Sequence, residues 1–314
     1  MCGKPLLPVL NFVAGSSHRE HDWREALARQ GLHALVCFDS VAPPLDGERR
    51  LYDSLALLQE KARPQLQRLI DDHLAQRQLR KSSAARLIAE LLLDCAACRR
   101  SVAAQAVLEQ GAIRDLHQTI RQREQRCVEA LLRLYAFRQD DAKAGDLPLL
   151  DGRWGDDLFN PETLKQLGIN IGGGMAAGAA TGVGVDLLVG GITLGAAALI
   201  GAVLGGSAQT LRGYGARLKG KLKGQRELTV DDAVLRLLAL RQQLLLQALE
   251  ARGHAAVEAI NLSTPQDTSW REGKLPEALH KARAHPEWSS LNPGAELEDG
   301  ERQEQVQQLA AELL

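Results

Sequence analysis

A mainly α-helical protein with a small βαβ unit at its N-terminus is the fold class this sequence predicts, and three observations lead to it. Two short apolar runs, residues 4–13 and 32–39, flank one amphipathic stretch. A long region from Glu48 to about Ala142 interleaves charged residues with Leu, Ile and Ala and shows no strand alternation. A forty-residue segment from Leu167 to Gly206 carries one charged residue, Asp186, and is built from Gly, Ala and branched aliphatics. Length and composition agree: 314 residues with 45% apolar side chains can bury a core of more than one domain.

The run "KPLLPVLNFV" is bounded by Pro and Gly and reads as a buried strand. Trp23, Ala26 and Leu27 then share one helix face, with Gly31 placed as the residue just past the helix end. "LHALVCFD" supplies the second strand. Strand, helix, strand with short connections is a parallel βαβ unit. Two strands alone cannot form a parallel sheet covered on both faces, so the unit reads as the end of a larger α/β domain. Residues 1–47 form this remnant.

Residues 48–142 read as a long helical hairpin. Pro64 suits a first helical turn, and Gly111 marks the break between the two arms. In the second arm Ile113, Leu116, Ile120, Cys127, Ala130, Leu134 and Phe137 follow a seven-residue apolar repeat, which Arg123 interrupts. Residues 143–166 collect Asp, Gly and Pro and read as a linker or docking loop. Within 212–314, Thr229 is the expected cap of a helix carrying Val234, Leu237, Leu238, Leu245 and Leu249 on one face. Short helices and a polar terminal helix, "ERQEQVQQLAAELL", follow it.

The segment 167–211 reads as a hydrophobic helical hairpin. Gly174, Gly178 and Gly182, then Gly191 and Gly195, then Gly201 and Gly205 recur at four-residue spacing, which lets helix backbones approach closely. In water each such glycine costs a helix roughly 1 kcal/mol relative to alanine, so tight packing has to compensate. The next stretch carries Arg212, Arg217, Lys219, Lys221, Lys223 and Arg226 with no acid among them, a suitable partner for anionic lipid. Asp186 opposes insertion, because a carboxylate is expensive in hydrocarbon. The segment has three readings: a membrane-embedded or membrane-attaching hairpin, a buried soluble or interprotein helical pair, and a disordered Gly-rich linker; a homo-oligomer is a further partner open to the chain.

A net charge of −1 and 4% aromatic content argue against a nucleic-acid partner. Five scattered cysteines (Cys2, Cys37, Cys95, Cys98 and Cys127) fit a reducing cytoplasm rather than a disulfide framework. The Cys95–Cys98 spacing lies in an Ala-rich helical stretch without accompanying histidines, which favours core cysteines over metal ligands. No metal ligand set, catalytic triad or phosphate-binding Gly-rich loop with its Lys is present.

The stretch "CGKPLLPVLNFVAGSSHREHDWREALARQGLHALVCFDSVAPPLDGERRLYDSLALL" resembles the last strand-helix-strand portion of an Era/TrmE-type GTP-binding domain, in a bacterial family where a long helical region follows that domain. "GVGVDLLVGGITLGAAALIGAVLGG", "LRLLALRQQLLLQALEARGHAA" and "PEALHKARAHPEWSSLNP" resemble the same family's C-terminal domain. The resemblance implies that GTP and Mg2+ belong to a full-length relative, whose phosphate loop, switch regions and magnesium ligands would lie upstream of Met1. In that family the first strand ends in Asn-Lys-x-Asp, and the matching residues here are Asn11, Phe12, Val13 and Ala14. Only Asn11 agrees, so this chain alone is expected to hydrolyse no GTP. The implied role is an effector and membrane-association portion, cytoplasmic and attached to the inner membrane.

Overall fold

The computed structural model describes residues 6–11, 13, 19–38, 47–103, 106–136, 149, 153–160, 163–164, 169, 183–185, 225–251, 270–271 and 273–314. Of the residues described, 68% are helical, which places the protein in the mainly α class that the sequence predicts.

The N-terminal unit has the expected connectivity with shorter strands. β1 (Val9–Leu10) pairs in parallel with β2 (Val36–Cys37), and α1 (Glu20–Arg29) lies between them in sequence. Gly31 takes φ +73°, Leu32 N–H donates to Leu27 O and Gly31 N–H to Ala28 O, so α1 closes in the paired-bond motif that a C′ glycine permits. No residue of α1 is buried, and Trp23 is 53% exposed. Its apolar face has no layer to cover it among the described residues.

α2 (Gly47–Leu58) leads through a short 3-10 turn into α3 (Arg63–Ala97), which has Pro64 in its first turn. At 1.5 Å per residue, the 35 residues of α3 span about 50 Å. Sequence divides this helix. Its first half is charged and packs mainly on α2. Its last turns, from Ala84 to Ala97, bury Ile88, Leu91, Leu92 and Leu93 completely. Such all-round apolarity is tolerable only inside a core.

The hairpin partner is α4 (Ala106–Leu134), but the break falls elsewhere than expected. Gly111 lies inside α4, and the turn is made by a strand, β3 (Arg99–Ala103), in a region read as strandless. β5 (Gln225–Val230) is the centre of a three-stranded antiparallel sheet, flanked by β3 and by β4 (Val183–Val185). Leu228 and Val230 turn into the core on alternate positions, so the sheet forms a lid on the end of α3. Thr229 is therefore a strand residue, paired with Arg99 and Gly184. The cap of α5 (Asp232–Ala251) is instead Asp231, whose Oδ1 accepts from Ala233 N at 2.8 Å. Val234, Leu237, Leu238, Leu245 and Leu249 are all buried, as the helical periodicity predicts.

Within the expected Gly-rich helical hairpin the described residues are Ile169 and β4, and β4 is extended, not helical. The β-branched pair Val183 and Val185 favours the strand, and β5 offers it an edge. α6 (Glu277–Ala282) and α7 (Gly300–Glu312) complete the body. The polar terminal helix packs on α3 through Val306 and Leu309, both fully buried.

The division of α3 makes a direct prediction. Leu92→Ala should cost about 3 kcal/mol in denaturant unfolding. Leu79→Ala, on the exposed half, should cost less than about 0.5 kcal/mol.

Candidate functional site: a buried aspartate between two arginines

Asp94 sits in the last turn of α3, within "LLLDCAA", and is 2% exposed. A carboxylate there is stable only if every lone pair is used. Four groups use them. Arg123 Nε donates to Oδ2 at 2.7 Å, Ser290 Oγ donates to Oδ2 at 2.7 Å, Ser290 N to Oδ1 at 2.9 Å, and Arg302 Nη2 reaches Oδ1 at 3.4 Å. Arg123 is the residue that interrupts the apolar repeat of α4. Burial opposes its charge, but the adjacent Asp94 outweighs that and holds the guanidinium pKa above its ordinary value.

The segment "EWSSLNPG" brings the serines into place by capping α3. Ser289 Oγ donates to Asp94 O at 2.7 Å. Asn292 Nδ2 donates to Ala97 O at 3.0 Å and to Pro286 O at 2.8 Å, while its Oδ1 accepts Arg99 N at 3.0 Å. Carbonyls at the end of α3 thus find partners despite burial. Gly294 turns the chain at φ +74°. Asp299 then caps α7 by accepting Arg302 N at 2.8 Å, which aims the Arg302 side chain inward. Arg302 Nε donates to Trp288 O at 2.8 Å.

A second buried pair lies where α4 meets α5. Arg241 Nη1 is 3.5 Å from Glu124 Oε1, and its Nη2 donates to Asp156 O at 2.7 Å. The same guanidinium lies 5.3 Å over the Trp154 ring. Burial raises the Glu124 pKa, and Arg241 partly offsets the shift. Phe159 stacks on His117 at 3.7 Å between centroids, and Arg121 pairs with Asp157 at 2.8 Å. Part of the expected linker is therefore a docked segment, with Leu158 and Phe159 in the core.

Cys95, Cys98 and Cys127 are buried, as the helical context of the Cys-x-x-Cys predicts. Burial pushes the Cys98 thiol up to about 11 and Cys127 up to about 12, and it raises Cys95 as well. Protonated thiols in apolar surroundings are poor nucleophiles and poor ligands. Among the described residues no group of His, Cys, Asp and Glu could hold a metal ion.

Of the sequence-predicted site residues, Asn11 stands exposed just past β1. Ala14, which stands where the resemblance would put the Asp, lies outside the described residues. Arg226 belongs to β5, opposite Val102. Gly174, Gly178, Gly182, Asp186, Gly191, Gly195, Gly201, Gly205, Arg212, Arg217, Lys219, Lys221 and Lys223 lie outside the described residues. Among those described, no helix is long and apolar enough to cross a membrane. The Asp94 cluster, which sequence reasoning missed, had two signals: an acid inside an apolar run and an arginine breaking a heptad.

Fold and site define a helical protein whose core is locked by buried ion pairs and closed by a small antiparallel sheet. The chain belongs to the family described as domain of unknown function DUF3482, which matches residues 24–311. No curated protein and no solved structure matches it.

Two outcomes follow from the geometry. Asp94→Asn should destabilise the fold by about 3 kcal/mol, because it leaves two arginines sharing no negative charge, whereas Ser290→Ala should cost about 1 kcal/mol; denaturant midpoints measure both. Glu124, with its pKa raised by folding, holds its proton more tightly in the folded chain than in the unfolded one. Its burial penalty is therefore present at neutral pH and relieved as pH falls through the raised value, saturating below the ordinary 4.5. Wild type should gain stability relative to Glu124→Gln as unfolding is measured from pH 7 towards pH 4.

Proposed function

We propose that this chain is the non-catalytic effector and attachment portion of a bacterial GTPase-like protein, holding its Gly-rich segment towards a membrane surface bearing anionic lipid. The observation that carries the reading is the thinly covered N-terminal unit: among the described residues α2 packs on β2 and Val36 is buried, while the rest of the unit has little cover. A parallel strand pair with Val9 46% exposed and a helix with nothing buried is half of a layer. Parallel sheets are stable with both faces covered, and on this reading further strands complete it. The resemblance to the end of a GTP-binding domain says what those strands would be. α2 and the exposed half of α3 join this unit to the ion-paired core, which gives a stiff connection from a nucleotide-binding part to the body.

The body also constrains how attachment works. Ile169 is buried, and β4 and β5 are adjacent, so the chain is anchored at 169, at 183–185 and again at 225–230. Residues 170–182 are too few to cross a hydrocarbon core, which takes ~20 residues. Residues 187–206 could cross once, yet the chain must return to the neighbouring strand on the same side. A shallow insertion from one face, assisted by the six cations at 212–226, satisfies both conditions. GTP and Mg2+ are assigned to the completing domain and not to these residues.

A second reading, a protein-interaction module, is favoured by one observation: β4 shows that part of the Gly-rich segment already packs on protein. Flotation on phosphatidylglycerol vesicles tests the first. The full chain should float, its recovery should fall with salt, and a variant lacking residues 187–206 should stay at the bottom of the gradient. Equal recovery of both overturns the membrane reading. Photo-cross-linking from position 195 to protein and not lipid would establish the second.

A further inference from the structure

Beside the Asp94 cluster, between α3, α4 and the start of α7, lies a cavity of about 360 Å³, at the small end of ligand-binding pockets. Most of its polar wall is already committed. Both Asp94 oxygens are used, and all three Arg302 nitrogens donate, to Trp288 O, Leu297 O and Asp94. Gln303 accepts from Arg86 at 2.8 Å and donates to Leu297 O at 2.8 Å. Two groups remain. Arg123 is pinned through Nε alone, so neither of its Nη groups has a partner among the described residues, although its side chain is only 14% exposed. Arg126, one turn further along α4 and on the same wall, makes one long bond from Nε to Gln122 O at 3.4 Å.

A guanidinium held by its Nε presents its remaining N–H groups as a fixed, planar donor set that matches the two oxygens of a carboxylate. Holding it in advance lowers the cost of ordering it on binding. The charge of the wall selects among oxyanions. Arg123, Arg126 and Arg302 face Asp94, Glu90 and Glu298, and Glu90 is also paired with Arg86 at 3.1 Å. The surplus is one positive charge when Arg86 is included. A monoanion neutralises that surplus, whereas a phosphate dianion would be repelled by Glu90 and Glu298.

We infer that this cavity is a binding site for the carboxylate group of a small organic acid, gripped by Arg123 and Arg126. The inference stands independently of the membrane reading and uses none of the residues on which that reading depends. Binding would give the unused Nη groups of Arg123 and the Arg126 guanidinium an anionic partner in the folded state alone, so it is expected to stabilise the fold.

Titration of the full chain with sodium acetate, against sodium chloride and sodium phosphate at matched ionic strength, tests this by thermal unfolding and by nitrogen-edited spectra of the arginine side chains. Acetate should raise the midpoint saturably and shift the Arg123 Nε–H signal. Arg126→Ala should weaken the effect at least ten-fold, and Arg126→Lys should restore part of it. Arg133→Ala, an exposed arginine on the same helix, should change nothing. Arg126 is itself exposed and lies outside the Asp94 cluster, so its loss should leave the circular dichroism spectrum unaltered. Equal responses to acetate and chloride, tighter binding of phosphate than acetate, or an Arg126→Ala variant that responds like wild type would each overturn the inference.

Discussion

The saturation of one buried carboxylate organises the body of this protein. Asp94 is held by groups from α4, from the loop at 289–292 and from α7, segments that are far apart in sequence. Hydrophobic burial would tolerate several arrangements of these helices, because apolar contacts are non-directional. A carboxylate with four directional partners tolerates few. It fixes the rotation of α4, since only Arg123 of that helix meets it, and it fixes the axial position of α7, since only the first turn carries Arg302. The C-terminal helix, polar enough on its outer face to look detachable, is bound into the core by this one contact as much as by Val306 and Leu309.

The same device recurs at lower strength where α4 meets α5. Arg241 and Gln242 are buried in the middle of a leucine-rich helix that would otherwise slide in register along its neighbours. The Glu124 carboxylate meets both, and Arg241 also reaches back to Asp156 and Trp154. Ion pairs of this kind contribute little net stability once desolvation is included, but breaking one is expensive. Their consequence is positional: they set which turn of α5 faces which turn of α4, and they dock the segment that leads into the Gly-rich stretch.

How far the fold could be read from the sequence follows from the range of the forces involved. The βαβ unit, Gly31 as a helix end, Pro64 as a helix start and the buried face of α5 depend on local periodicity and local backbone preference, and each was legible. The strand at 99–103 was not, because "RRSVA" has no alternation of its own and is strand only by pairing with β5. Thr229 was read as a cap because its sequence neighbours, Val230 and two aspartates, suit a helix start. The strand pairing of β5 extends through Val230 and moves the cap to Asp231. The Asp94 cluster was half legible: the anomaly at Arg123 was visible, but its partner lay 29 residues away on another helix.

Val183–Val185 carries the furthest consequence for function. A segment with so few charges invites comparison with a pair of membrane-crossing helices, and each half alone is near the needed length. Yet its middle is paired with β5, and β5 lies against the fully buried end of α3. Drawing these valines into lipid would break the β4–β5 pairing, Val183 with Val230 and Val185 with Leu228. Gly and Ala offset little of that loss on entering hydrocarbon, since their transfer energies are small beside those of Leu or Phe. The attachment proposed above would then fall to the residues between β4 and β5, a stretch that leaves β4 and enters β5 at the same end of the sheet. On that proposal the β4–β5 pairing is kept, and attachment would not require the body to unfold.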